Sequence, residues 1–238
     1  FYLVKFPAFA ISLFFVFTII AALIYLGSVR EGIGFESNHY SFSHNFLSEL
    51  GTFKINSDET NPFSIKQDNS PSMLLFNGSL VLIGFTIIMF YLYFEKLFVF
   101  AGDSLSALKN SKIAKPLGVL AGILYAGVGL VPHDLHFGLH VFFANGAFLT
   151  LLFLCVFHSL AVYKSEFIPN KYALGYLLFI VFLTQTNPFP VPIGCQKRII
   201  IGSSSGVVFF EIDPRPNGCL LVTIFRMPCI GHVQSLDA

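Results

Sequence analysis

Five windows of this chain contain no Asp, Glu, Lys or Arg: residues 6–29, 69–94, 116–133, 135–163 and 172–196. A helix crosses the roughly 30 Å hydrocarbon core of a bilayer with about 20 apolar residues, so the first four windows each predict a span. The fifth is weaker. Its apolar run stops near Thr184, and Asn187-Pro188-Phe189-Pro190-Val191-Pro192 cannot continue a regular helix. Composition points the same way: 27 of 238 residues are charged and 55% are hydrophobic, Phe alone contributing 30. At 11% charge, against about 25% in soluble domains, the chain cannot cover a water-facing surface. That excludes an ordinary soluble globule and a disordered tail. A net charge of +1 also removes the basic surface that nucleic-acid binding requires.

The expected fold is an all-α polytopic transmembrane helix bundle with five spans near residues 7–28, 73–94, 116–132, 139–162 and 172–186. A degraded sixth span is the alternative to ending at five. Lys5 before the first apolar run could mark a secretory signal, but 24 uncharged residues exceed the 7 to 15 of a signal core. Ser28-Val29-Arg30 is also a poor cleavage site. The chain begins at Phe1, so a truncated or processed N-terminus is expected.

Lys and Arg in the connections set the orientation, because cytoplasmic loops carry the excess of positive residues. Lys5, Lys96, Lys109, Lys112, Lys115, Lys164 and Lys171 fall on one face, against Arg30, Lys54 and Lys66 on the other. The 30–68 connection also holds Glu31, Glu36, Glu49, Asp58, Glu59 and Asp68. The expectation is a protein of a prokaryotic cell membrane with a cytoplasmic N-terminus, membrane lipids as its surroundings, and the 30–68 loop and the turn near residue 133 both outside.

Those two outer connections carry the most polar constellations. In Ser41-Phe42-Ser43-His44-Asn45-Phe46-Leu47-Ser48-Glu49-Leu50-Gly51, a helical conformation would place His44 and Ser48 on one face with Glu49 beside them. In Pro132-His133-Asp134-Leu135-His136-Phe137-Gly138-Leu139-His140, Asp134 is a candidate cap for the fourth helix, and His136 and His140 are one turn apart. Two imidazoles at that spacing, with a third His and a carboxylate, meet the ligand needs of zinc. A bound ion would acidify water for hydrolysis. On that reading His44, His136 and His140 bind the metal, and Ser48, Glu49 or Asp134 takes the catalytic role. The competing reading makes the same residues interfacial caps bonded to headgroups, water and backbone. A third makes them a proton-linked or ligand-binding site.

Other motifs are weaker. Asn77-Gly78-Ser79 matches a glycosylation sequon but lies inside the second span. Gly202-Ser203-Ser204-Ser205-Gly206 matches a nucleophile elbow, yet Val207-Val208-Phe209-Phe210 after it reads as a strand where the elbow needs a helix. His158 is expected to bond to a neighbouring helix. Gly118, Gly122, Ala126, Gly127 and Gly129 suit close helix packing.

Ser43-His44-Asn45-Phe46-Leu47-Ser48-Glu49-Leu50-Gly51 after a first span resembles the His-x-Ile-Ser-Asp-Leu-Gly signature of the prokaryotic multi-pass membrane family called domain of unknown function 998. Leu75-Phe76-Asn77, the Gly-rich third span, and Pro132-x-Asp134 with His136 and His140 are similar to that family too, over roughly residues 5–185. Glu49 stands where the family has Asp. The resemblance implies six membrane spans and no established activity. A more distant similarity is to alkaline ceramidase and progestin-receptor-like hydrolases, whose Ser precedes the first His; here His44 precedes Ser48.

Residues 187–238 read as an irregular or β-like tail, Pro- and Gly-rich, with Cys195, Cys219 and Cys229. Disordered, membrane-associated and disulfide-linked states are all open to it, as is an origin outside the family through a shifted reading frame near residue 186. The leading functional expectation is an integral membrane protein with an extracytoplasmic pocket of His44, Ser48, Glu49, Asp134, His136 and His140, binding or transport-like. The alternative is a zinc-dependent membrane hydrolase of lipid or amide bonds.

Overall fold

The computed structural model describes residues 1–30, 34–57 and 65–186. Its elements are α1 (Lys5–Ile24), β1 (Ser28–Arg30), β2 (Phe35–Ser37), a 3-10 helix (Leu47–Gly51), α2 (Ser70–Ala101), α3 (Leu105–Leu130), α4 (Phe137–Tyr163) and α5 (Lys171–Thr186). Phe1–Ile180 form one unit; of the second, Val181–Ala238, only the end of α5 is described. The expectations placed on Cys195, Cys219, Cys229, the Gly202–Gly206 motif and the tail lie outside the described residues.

α1 to α4, with 20, 32, 26 and 27 residues, are long and apolar enough to cross a membrane. Four such helices are compatible with an integral membrane protein. At the expected fifth span stands α5, whose 16 residues reach about 24 Å at 1.5 Å each. That is shorter than the roughly 30 Å core. Two helices extend beyond their uncharged windows. α2 continues past Glu95 and Lys96 until Gly102, at φ 63, ends it in a left-handed turn. α3 starts at Leu105 instead of near 116, because the Ser104 hydroxyl accepts the Ala107 N–H at 3.2 Å and caps a helix that runs through Pro116. The charge-free windows mark where a helix is apolar, which is less than where it is a helix.

Small residues let the bundle close. A Cβ on Gly84 would come within 2.6 Å of the Gly122 carbonyl, and one on Gly122 within 2.5 Å of the Gly84 carbonyl, so α2 and α3 touch through backbone. The Tyr91 ring occupies the space above Gly118, and the Phe143 ring that above Gly127. The expected close packing at these glycines is what the structure has. α1 lies against α2 through Phe6 edge-on to Phe85 at 6.0 Å and Phe14 beside Phe76 at 6.4 Å, and Tyr2, just before α1, stacks on Tyr93 at 4.8 Å. One core gathers Tyr91, Phe94 and Phe98 against Ala107, Ala114, Ala121, Leu154 and Ala161. His158 is buried there, its Nδ1 3.0 Å from the Tyr91 hydroxyl and its ring stacked on Phe94, which meets the expectation of a bond to a neighbouring helix.

The connections meet in pairs at opposite ends. At one end, the lysine end, the α2–α3 turn is clasped to the α4–α5 turn. Asp103 accepts the Ser165 hydroxyl and the Glu166 N–H, and the Ser104 hydroxyl donates to the Lys164 carbonyl at 2.6 Å. At the other, the head end, β1 and β2 form a small antiparallel hairpin pairing Val29 with Glu36, which an all-α expectation did not contain. Gly27 permits it: its φ is 109°, and the Ser37 carbonyl lies where a Cβ would stand.

Candidate functional site

The head is built around the 43–51 segment, and its local structure differs from the helix expected there. Residues 42–44 turn, and a 3-10 helix follows over Leu47–Gly51. His44 and Ser48 therefore do not share a helical face. The reason is a denser local bonding scheme. Glu49 reaches back to accept the Phe46 N–H at 2.7 Å and the Asn45 amide at 2.7 Å, the reach-back half of a capping box. Asn45 also accepts from the Ser28 hydroxyl and the Ser41 N–H, binding the segment to β1.

The far end of this short helix is caught by α2. The Asn69 amide donates to the Glu49, Leu50 and Thr52 carbonyls at 3.4, 3.3 and 3.0 Å. The Ser72 hydroxyl donates to the Leu50 carbonyl at 3.0 Å, and the Asn77 amide to the Gly51 carbonyl at 2.9 Å. Asn69, Ser72 and Asn77 are all buried. They collect carbonyls that a helix end leaves without partners. Gly51 is required because a Cβ would collide with the Asn77 Oδ1. The sequon asparagine is thus a buried clamp, and the Ser-Glu-Leu-Gly stretch is a docked knuckle. Asn45, Asn69 and Ser72 were missed by sequence reasoning. The available signal was a polar run, Asn69-Ser70-Pro71-Ser72, opening a long apolar helix.

The 131–136 turn is drawn against the same knuckle. Asp134 Oδ2 accepts the Phe53 N–H at 2.8 Å and the Lys54 N–H at 3.2 Å, bonds that span about eighty residues of chain. Its other oxygen, Oδ1, is buried without a hydrogen-bond partner among the described residues. Asp134 does not cap α4, contrary to expectation. Its carboxylate is already engaged by the loop, and His136 caps instead, its Nδ1 accepting the Leu139 N–H at 3.1 Å.

The six expected site residues are therefore distributed over several jobs. His44 is exposed, stacked on Phe35 at 4.1 Å, with its Nδ1 2.8 Å from the Ser43 hydroxyl. Ser48 is half-buried on the knuckle, and Glu49 is buried within it. His136 is exposed at its cap. His140 is half-buried and donates its Nδ1 proton to the Val131 carbonyl at 2.6 Å. The ring of buried His133 lies 5.8 Å from that of His140 between centroids. The structure joins Asp134 to the 30–68 loop and pairs His140 with His133, a neighbour outside the expected triad. Among the described residues, no three His, Cys, Asp or Glu side chains are gathered as a metal would need.

The head has one further electrostatic mark. Burial, and then the nearby Glu49 charge, push the Tyr40 hydroxyl above its ordinary range. Tyr40 stays neutral and packs edge-on against Tyr25 at 5.5 Å. No family model, curated protein or solved structure matches the chain, so the resemblance to domain of unknown function 998 rests on the motif residues themselves.

Proposed function

We propose that this chain is a multi-pass integral membrane protein with a cytoplasmic N-terminus, whose head is extracytoplasmic and serves a binding or transport-like role. The supporting observation is the Asp134 carboxylate holding the Phe53 and Lys54 N–H groups, which joins the two polar connections at one end of the bundle. Lys96, Lys109, Lys112, Lys164 and Lys171 occupy the other end, as a cytoplasmic face requires. The ligand side of the head is the edge where His133 and His140 pair beside Asp134. The motif similarity to domain of unknown function 998 supports the multi-pass membrane part of this reading and is silent on the role.

The metal-dependent hydrolase reading has one observation in its favour. His140 donates one ring N–H to a backbone carbonyl, the arrangement that orients a metal-ligating imidazole. Metal analysis of detergent-purified protein separates the two. The binding reading expects less than stoichiometric zinc, with His136→Ala and His140→Ala lowering stability only by the lost α4 cap and the lost Val131 bond. Stoichiometric zinc that these substitutions abolish would replace it with the hydrolase.

A further inference from the structure

At the lysine end, the outward face of α3 carries a shallow, open groove of about 410 Å³ lined by Lys115, Pro116, Val119, Leu120 and Ile123. All five come from one stretch of helix, and the spacing from Lys115 to Ile123 is about 12 Å along the axis. Except for Lys115 at the top, the lining is apolar. Pro116, Leu120 and Ile123 are exposed there without protein cover. Lys109 and Lys112 continue the same stripe upward, at i−7 and i−4 from Pro116, and both are exposed. Lys115 is fixed by Glu95 at 3.1 Å. Lys109 and Lys112 have no ion-pair partner among the described residues.

Two uncompensated cations above an apolar slot in a membrane-spanning helix match one chemistry, an anionic headgroup joined to an acyl chain. We propose that this groove is a binding site for a single anionic phospholipid. Its phosphate lies at the Lys109 and Lys112 ammonium groups and one acyl chain runs along Val119, Leu120 and Ile123. Glu95 keeps Lys115 as the rim and leaves the headgroup to the other two lysines. The proposal rests on the membrane reading of α3 and is independent of the head at the opposite end.

Native mass spectrometry of the full chain tests it, with phosphatidylglycerol and phosphatidylcholine of identical acyl chains added in equal amounts. One phosphatidylglycerol adduct should dominate. Lys112→Gln should reduce that preference about fivefold, as expected for one basic residue near an anionic surface, and Lys112→Arg should keep it. Leu120→Trp, which fills the slot from an exposed position, should remove the adduct. Lys5→Gln, a charge loss elsewhere at the same end, should change nothing. Equal adducts of the two lipids, or equal losses for Lys5→Gln and Lys112→Gln, would overturn the site. A chain that stays monodisperse without detergent would instead overturn the membrane reading beneath it.

Discussion

Asn77 shows how a residue's meaning depends on its partners. In an apolar helix an asparagine is costly unless its amide is bonded, and here it holds the last carbonyl of the 3-10 helix. Asn77→Ala leaves the buried Gly51 carbonyl without its donor and is expected to cost about 1–3 kcal/mol. Gly51→Ala attacks the same contact from the other side, since its Cβ would collide with the Asn77 side chain. Overpacking of this kind costs about 1–3 kcal/mol. The two effects share one contact, so the double variant Gly51→Ala with Asn77→Ala should lose less than the sum of the singles. Thermal unfolding in detergent of the four proteins reads this directly; strict additivity would mean that the knuckle is not clamped by Asn77.

At the scale of elements, two contacts decide how the helices are held. The α2–α3 crossing depends on Gly84 and Gly122 meeting through backbone. Gly122→Val is therefore expected to separate the helices at a cost of at least about 1–3 kcal/mol. The exposed Gly78→Ala, with open space at its Cβ, should leave unfolding temperature unchanged or slightly raised. Similar losses at both positions would contradict the crossing. The second contact is the Asp103 clasp. Burial pushes this carboxyl upward, but hydrogen bonds from the Ser165 hydroxyl and from the Glu166, Ser104 and Phe167 N–H groups outweigh it, and its pKa lies below the ordinary range. A carboxyl with a depressed folded pKa adds stability above its unfolded value of about 3.9, and loses it as pH falls through the folded one. The clasp should thus be intact at neutral pH and weaken below about pH 4. Asp103→Asn should flatten that acid limb in unfolding scans from pH 7 to 3, and equal acid slopes in the two proteins would count against it.

For the molecule as a whole, the membrane architecture was legible because charge is a one-dimensional signal. Four uncharged windows became four long helices, and most of the described lysines lie at one end. Helix ends were less legible. Ser104 extends α3 across three lysines that a composition window treats as loop, because a cap and backbone bonds carry a helix beyond its apolar part. The candidate site was the least legible part. Spacing correctly put Asp134 and the 30–68 loop at the same end, but it could not show that Glu49 and His136 serve as caps. Nor could it show that His133 is the ring beside His140. Those outcomes turn on which backbone groups lack partners in three dimensions.

The central claim is a bundle with both polar connections outside the membrane and the lysine-rich turn inside. Single cysteines at Phe42, Leu135 and Leu105, which are 64%, 65% and 85% exposed, test it in a chain whose native cysteines are replaced by alanine. With a membrane-impermeant thiol reagent on intact cells, Phe42→Cys and Leu135→Cys should label and Leu105→Cys should label only after lysis. Labelling of Leu105→Cys on intact cells, or of only one of the other two, would contradict the arrangement.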